Sequence, residues 1–367
     1  MSISSCDIPF WLALLRFRAF GAVRLTKLEQ RFASMRQAFE ASGDEIISAG
    51  IEPAIAKAFC DLRETLDPQK EWEEVQAQHI TLVHRHDPLY PPLLKTIYDP
   101  PPILFVRGSL PSPSRDTLAV VGSRHPSSYG KRAAQKLISP LASSSLVVIS
   151  GLAYGVDALA HALTLEAGGT TVAILGSGLD DASLYPHDHL PLAKRIVEKG
   201  GAVVSELPLG TPPLKQHFPF RNRLIAGWAR GTLVIEANKK SGSLITARAA
   251  LEDGRDVYAV PGPFDSPLSE GPNNLLKMGA IPVTDPSDIL PTAIEMPRLQ
   301  TQTYAPTTRE EAQLLALLSS DPTHVDILVE QTRLSISSIS STLTMLEMKG
   351  VIKHAGSQYY TRAMSLA

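Results

Sequence analysis

Seven short apolar runs recur along the middle of the chain at intervals of roughly 25 to 30 residues, the length of one strand–helix unit. They are LAVVG from Leu118, LVVIS from Leu146, TVAIL from Thr171, AVVSE from Ala202, TLVIEA from Thr232, DVYAV from Asp256 and a weaker IPVTD from Ile281. Because they are continuous rather than alternating, they predict strands buried on both faces, as in a parallel sheet covered by helices. The segments between them, such as YGKRAAQKLISPL, DALAHALTLEAG and LPLAKRIVEKG, carry helical periodicity. The middle of the chain therefore reads as an α/β domain, a doubly wound, mainly parallel sheet.

The flanks follow different patterns. From Pro9 to about Asp67 short apolar-periodic segments are separated by SGD and AGIEP, which predicts a small helical domain over residues 1–70. Its first stretch, FWLALLRFRAFGAVRL, spaces Arg16, Arg18 and Arg24 as an amphipathic helix would. Residues 71–117 hold a strand at ITLV, the proline-rich DPLYPPLL and YDPPP, and ILFVRG, a lead-in that packs on the next domain and belongs with it in a unit spanning 71–290. After Asp288 the aperiodic PTAIEMPRLQTQTYAPTT reads as a linker, 291–308. Residues 309–367 then predict three short helices and a hairpin, the order of a winged helix, with Ser335 or Ser337 near the N-cap of the third helix.

Composition narrows the partners less than the pattern narrows the fold. The 367 residues carry 35 basic and 37 acidic side chains, a net charge of −2, so any affinity for nucleic acid must come from a local patch. Cys6 and Cys60 show neither a disulfide framework nor zinc spacing, and no cofactor or metal is expected. The N-terminal arginines argue against a signal peptide, and Asp157 and His161 interrupt the most apolar later stretch, so a soluble, cytoplasmic protein is expected.

In an open parallel sheet, ligands collect beyond the carboxyl ends of the strands. Four segments there bear glycine and serine: GSRHPSSYG (122–130), SGLAYGVDALAH, GSGLDDASLYPHDH and EANKKSGSLITA. None fits a nucleotide fingerprint, since seven residues separate Gly122 from Gly130 where a P-loop has four, and GxG at Gly176 lacks its third glycine. Asp157 with His161, four residues apart, and HDH at 187–189 are suggestive of metal, but they lack a third convergent ligand and suit capping or surface roles better. From Lys215 to Arg248 lie seven basic residues (Lys215, Arg221, Arg223, Arg230, Lys239, Lys240, Arg248) against Glu236 alone, which supplies the local patch. Phe218 and Phe220 beside Arg221 and Arg223 pair stacking surface with phosphate donors, as single-stranded nucleic acid requires. A solvated basic helix face over buried phenylalanines is the plain alternative.

Taken together, VVGSR, ISGLAYGVDALAH, ILGSGLD followed by YP, FPFRNRLIAG, LVIEANKKSGSLITARAALEDGRDVYAVPG and NNLLKMGA resemble the DNA processing protein A (DprA, or Smf) family over about residues 80–285. That resemblance implies an extended Rossmann-like core behind a helical SAM-like domain, followed by a winged helix. It also implies a non-enzymatic homodimer of natural transformation that binds and protects incoming single-stranded DNA and helps load the RecA recombinase onto it. The family's DNA pocket falls on Gly122, Ser123 and Arg124, on Phe218, Arg221, Asn222 and Arg223, and on Ser241, Gly242 and Ser243, with Lys215 as an addition. Of the two arginines, which two residues apart cannot point the same way, Arg221 is the one expected to face DNA, while for Arg223 a DNA contact and a structural role both stay open. His187 and His189 stand where members often carry a basic residue and an asparagine, which would make a contact from that loop pH-dependent. The competing enzymatic reading is a Rossmann-type nucleotide phosphoribohydrolase. Its PGGxGTxxE signature survives only as fragments in GTLVIEA and VPGPFD, with Glu236 as the glutamate.

Overall fold

The structure, a computed structural model, describes residues 6–290, 303–319, 321–332, 334–362 and 365–366. The chain divides into two compact units, residues 1–296 and 297–367.

Among the described residues the first unit opens with six helices: α1 (Ile8–Arg16), α2 (Gly21–Arg31), α3 (Met35–Glu40), α4 (Gly43–Ser48), α5 (Pro53–Arg63) and α6 (Pro68–Ala77). Local chemistry sets their starts. Ser42 and Glu45 form a reciprocal capping box at α4, and Asp67 accepts the amides of Gln69 and Lys70 ahead of Pro68 at α6. The expected N-terminal amphipathic helix is broken in two. The chain leaves α1 at Phe17, makes one 3-10 turn over Arg18–Phe20, and re-enters a helix at Gly21 with φ +45°. The break turns both Phe17 and Phe20 onto Phe59, at ring distances of 5.6 and 4.7 Å, and burial of these rings outweighs the interrupted helical hydrogen bonds. Trp11, Leu14, Phe20, Leu28, Met35, Phe39 and Phe59 form a core that also takes in Ile103, so the helices share their interior with the edge of the sheet.

Among the described residues nine strands form one sheet: β1 (Thr81–His84), β2 (Ile103–Gly108), β3 (Thr117–Val121), β4 (Val147–Ser150), β5 (Thr170–Ile174), β6 (Ala202–Ser205), β7 (Gly231–Val234), β8 (Asp256–Ala259) and β9 (Ile281–Pro282). Their order is β1-β2-β6-β5-β4-β3-β7-β8-β9. The seven runs read from the sequence are β3 to β9, all parallel, while β1 and β2 add an antiparallel edge beside β6. The lead-in is thus part of the sheet itself. The unit's remaining helices are α7 (Ser128–Ser143), α8 (Val156–Glu166), α9 (Leu190–Glu198), α10 (His217–Trp228), α11 (Ser243–Glu252) and α12 (Glu270–Lys277).

Alternation along β3 shows how both faces are covered. Leu118 and Val120 pack with Leu137, Ile138 and Leu141 of α7 and Leu163 of α8. Ala119 and Val121 pack with Leu224 and Ile225 of α10 and Ala247 and Ala250 of α11. The chain steps from β3 outward through β4, β5 and β6, then crosses back through α10 to place β7 on the other side of β3. The loops after β3 and β7 therefore diverge and leave a crevice at a topological switch point.

The second unit contains α13 (Arg309–Leu317), α14 (Val325–Thr332) and α15 (Ile336–Met348) with strands β10 (Thr303–Tyr304), β11 (Thr323–His324), β12 (Ile352–His354), β13 (Tyr359–Arg362) and β14 (Ser365–Leu366). Leu314, Leu328, Ile339, Leu343, Leu346 and Ile352 fill its core, β12 and β13 pair as the wing hairpin, and Ser335 caps α15 by accepting the Ser338 amide. Residues 291–302 of the expected linker lie outside the described residues. No helix among the described residues is long and apolar enough to cross a membrane.

Candidate nucleic-acid interface

A cleft of about 520 Å³ occupies the switch point. Gly122 and Arg124 enter it from the loop after β3, Ala153 and Asp157 from the start of α8, and Tyr185 from the loop after β5. Lys215, Phe218, Arg221 and Asn222 come from the start of α10, and Ser241, Gly242 and Ser243 from the turn into α11. Nine of the eleven residues expected from the sequence thus line one cleft.

The two that do not line it have other partners. Ser123 is buried, and its Oγ accepts the His125 amide at 3.1 Å, closing the turn that presents Arg124. Arg223 leaves the far side of α10, where it meets Glu206 through Nη2 and donates from Nη1 to the Asp99 carbonyl at 3.0 Å. Its Nε lies 3.3 Å from the Asp99 carboxylate. Burial pushes the Glu206 and Asp99 carboxyls up, and Arg223 pulls both back. This guanidinium holds the base of α10 to the loop before β2 and to the end of β6.

Arg221 lines the cleft but is 5% exposed. Its Nη1 donates to the carbonyls of Gly151, at 2.6 Å, and Ile174, at the ends of β4 and β5. Glycine at 151 lets the guanidinium come this close, since a Cβ there would stand 2.6 Å from Nη1 and force it to shift. Burial lowers the guanidinium's pKa to about 10, with Asp157 raising it and Arg124 lowering it, so the group stays charged at neutral pH. Asp157 accepts the Gly151 amide at 3.2 Å, and burial pushes its carboxyl up while Arg221 opposes the shift. Arg221 is the cleft's charged floor.

Arg124 and Lys215 are the exposed cations of the cleft, and neither has a hydrogen-bond or ion-pair partner among the described residues. Across from them, the ten-residue helix α11 turns its positive end to the cleft. The Ser241 and Ser243 hydroxyls lie 2.7 Å apart, and Asn222 Nδ2 donates to the Gly242 carbonyl at 3.2 Å, tying α10 to this turn. One wall is aromatic: the Tyr185 and Phe218 rings are 5.7 Å apart, and the Arg221 guanidinium carbon lies 5.9 Å from the Phe218 centroid. Tyr185, 41% exposed, is the residue that sequence reasoning passed over; it stands in the quoted YP pair, but only the fold carries that pair across to α10.

The remaining candidates separate. His161 places Nδ1 2.7 Å from Thr171 Oγ1, whereas Asp157 turns to Gly151, so the two share no ligand position. In the HDH stretch, Asp188 accepts the Tyr154 hydroxyl at 2.8 Å and His189 Nδ1 lies 2.7 Å from the Leu152 carbonyl. Glu236, 2% exposed at the end of β7, accepts the Ser127 amide at 2.8 Å and its hydroxyl at 2.5 Å, which locks the start of α7. Gly130 makes room for it, as a Cβ there would come within 2.2 Å of the carboxylate.

An extended, doubly wound α/β fold with an anion-receptive cleft at its switch point, followed by a winged helix, is the class that these observations define. The chain belongs to the DNA recombination-mediator protein A family, the DprA/Smf proteins, whose model matches residues 81–293, and a DprA winged-helix model matches residues 299–356. It is 40% identical to protein Smf of Escherichia coli K12 over 79% of each chain. With the DNA processing protein DprA of Streptococcus pneumoniae R6 it shares 45% identity over 56% of this chain and 71% of that one. The X-ray structure of DprA from S. pneumoniae superposes with a TM-score of 0.66 at 34% identity, covering 79% of this chain and 98% of that one. DNA processing protein A of Helicobacter pylori, whose structure describes a single-stranded DNA binding mode, matches with a TM-score of 0.50 at 26% identity over 57% and 94% of the two chains.

Proposed function

We propose that this protein binds single-stranded DNA in the switch-point cleft without sequence preference. The convergence of Arg124, Lys215 and Arg221 with the Tyr185–Phe218 wall and the 241–243 turn carries this reading. Arg124 and Lys215 reach phosphates, Arg221 adds field from the floor, and the turn into α11 offers amides and hydroxyls to a further phosphate. Tyr185 and Phe218 present faces on which any base can stack, and Asn222 borders them. Ser123 and Arg223 hold the cleft's shape rather than touch DNA.

Protection of incoming strands in transformation, delivery to the RecA recombinase and action as a homodimer belong to the same proposal, resting on family membership. A non-catalytic role belongs to the same reading, supported by Glu236, the glutamate of the fragmentary phosphoribohydrolase signature, being buried and bonded to the Ser127 amide and hydroxyl at the α7 start. Fluorescence anisotropy with labelled oligo-dT tests the reading. Arg124→Ala should weaken binding about tenfold or more, as the loss of a charge-assisted phosphate contact would. Unchanged affinity in this variant would remove the cleft from the account.

A further inference from the structure

Away from the cleft, the end of β1 and the turn after it carry His84, Arg85 and His86, and all three side chains converge on Glu29 of α2. Glu29 Oε1 lies 3.3 Å from His84 Nε2 and 3.5 Å from His86 Nε2, and each of the three residues offers a ligand atom within 4.8 Å of the others. Among the described residues this is the one such group. Two ligands of a four-coordinate ion with bonds near 2.0–2.1 Å stand about 3.3 Å apart, which matches the two distances from Glu29 to the imidazoles.

Three further observations point to a ligand. His84 is 6% exposed, and its Nε2 faces the Glu29 carboxylate at 3.3 Å without forming a well-aligned hydrogen bond to any group. Arg85 occupies the other carboxylate oxygen, Oε2, and anchors itself on Thr26 Oγ1 at 2.7 Å, so Oε1 is held toward the two imidazoles. The Trp11 ring, 5.2 Å from His84, closes one side, while the His86 side chain is 54% exposed and leaves a way in.

We propose that Glu29, His84 and His86 form a binding site for a divalent transition-metal ion of the imidazole-preferring kind, zinc foremost, with a fourth position open to water. The ion joins α2 of the helical region to the edge strand of the sheet. His84 Nδ1 accepts the His86 amide at 3.4 Å, a long contact that would be given up if Nε2 bound an ion and Nδ1 carried the ring proton. Arg85 opposes the added charge, and its bond to Glu29 sets the carboxylate as an outer partner does in metal sites. Without cysteine or a local third ligand the sequence offers no zinc spacing; Glu29 comes from another element altogether.

Titrating the chelator-treated full chain with Co²⁺ and following visible absorption tests this, with Zn²⁺ as competitor. The expected result is one ion per chain, bands of a four-coordinate site, and quenching of Trp11, the tryptophan beside the site. His86→Ala, at an exposed position, should bind at least tenfold more weakly, and Glu29→Gln should do the same. Zn²⁺ should raise the melting temperature of the wild type alone. Equal binding by wild type and both variants, or weak multi-site binding without four-coordinate bands, would overturn the proposal.

Discussion

Arg221 and Arg223 sit two positions apart on α10, and a helix turns about 200° over that step. One guanidinium therefore floors the cleft while the other ties the helix to Glu206 and Asp99. The sequence foresaw the divergence, because two residues is a legible angular offset, but it could not foresee that Arg221 is itself buried and caps two strand ends. Arg221→Ala should cost about 3 kcal/mol in urea unfolding by stranding the Gly151 and Ile174 carbonyls, and Arg223→Ala a similar amount by leaving Glu206 unpaired. Arg124→Ala should stay within about 0.5 kcal/mol of wild type. Only that last variant separates DNA affinity from folding, and an equal stability loss in all three would refute this division of roles.

His161 makes a second residue-scale prediction. The Thr171 hydroxyl donates to the Val148 carbonyl, so it must accept from His161 Nδ1, leaving Nε2 unprotonated and buried without a partner. Burial drops its pKa to about 3, with smaller contributions from His189 and Arg221. A base with a lowered folded pKa lets the unfolded chain take up a proton first as pH falls, so stability is lost below about pH 6.5, by up to about 1.4 kcal/mol per unit. Burial has raised the Asp157 and Glu206 carboxyls, which act in the opposite sense. The stability difference between wild type and His161→Leu isolates the histidine: it should shift against wild type as pH drops from 7 to 5, and a pH-independent difference would contradict the assignment.

At the scale of elements, the strands were the most legible part of the chain. Runs buried on both faces have few polar interruptions, and each of the seven expected runs became a parallel strand, but the weakest, β9, is a two-residue edge strand with both residues exposed and β8 is only partly buried. Less visible was anything decided by tertiary packing. The break at Phe17 follows from Phe59, and the joining of β1 and β2 to the sheet depends on where β6 lies. The start of α7 is of this second kind, since Ser127 caps it while its own amide and hydroxyl are taken by Glu236 across the switch point. Ser127→Ala should lower stability by about 1–2 kcal/mol and leave oligo-dT affinity of the folded protein unchanged. A loss of affinity without a loss of stability would instead place Ser127 and Glu236 at the ligand.

For the whole molecule, a net charge of −2 conceals a cleft in which Arg124, Lys215 and Arg221 face one acidic group, Asp157, whose carboxyl burial has pushed up. Composition could not reveal that, but the order of glycine-bearing loops on one sheet edge could, because a doubly wound topology brings those loops together. Tyr185 stayed hidden for the same reason that Glu29 did: each meets its partners only through the fold. The salt dependence of oligo-dT binding tests the cleft most directly. Each phosphate contact from a single strand adds about 0.7 to the slope of log affinity against log salt. The Arg124→Ala, Lys215→Ala double variant should therefore lose about 1.4 from the wild-type slope, and an unaltered slope would contradict phosphate binding by this cleft.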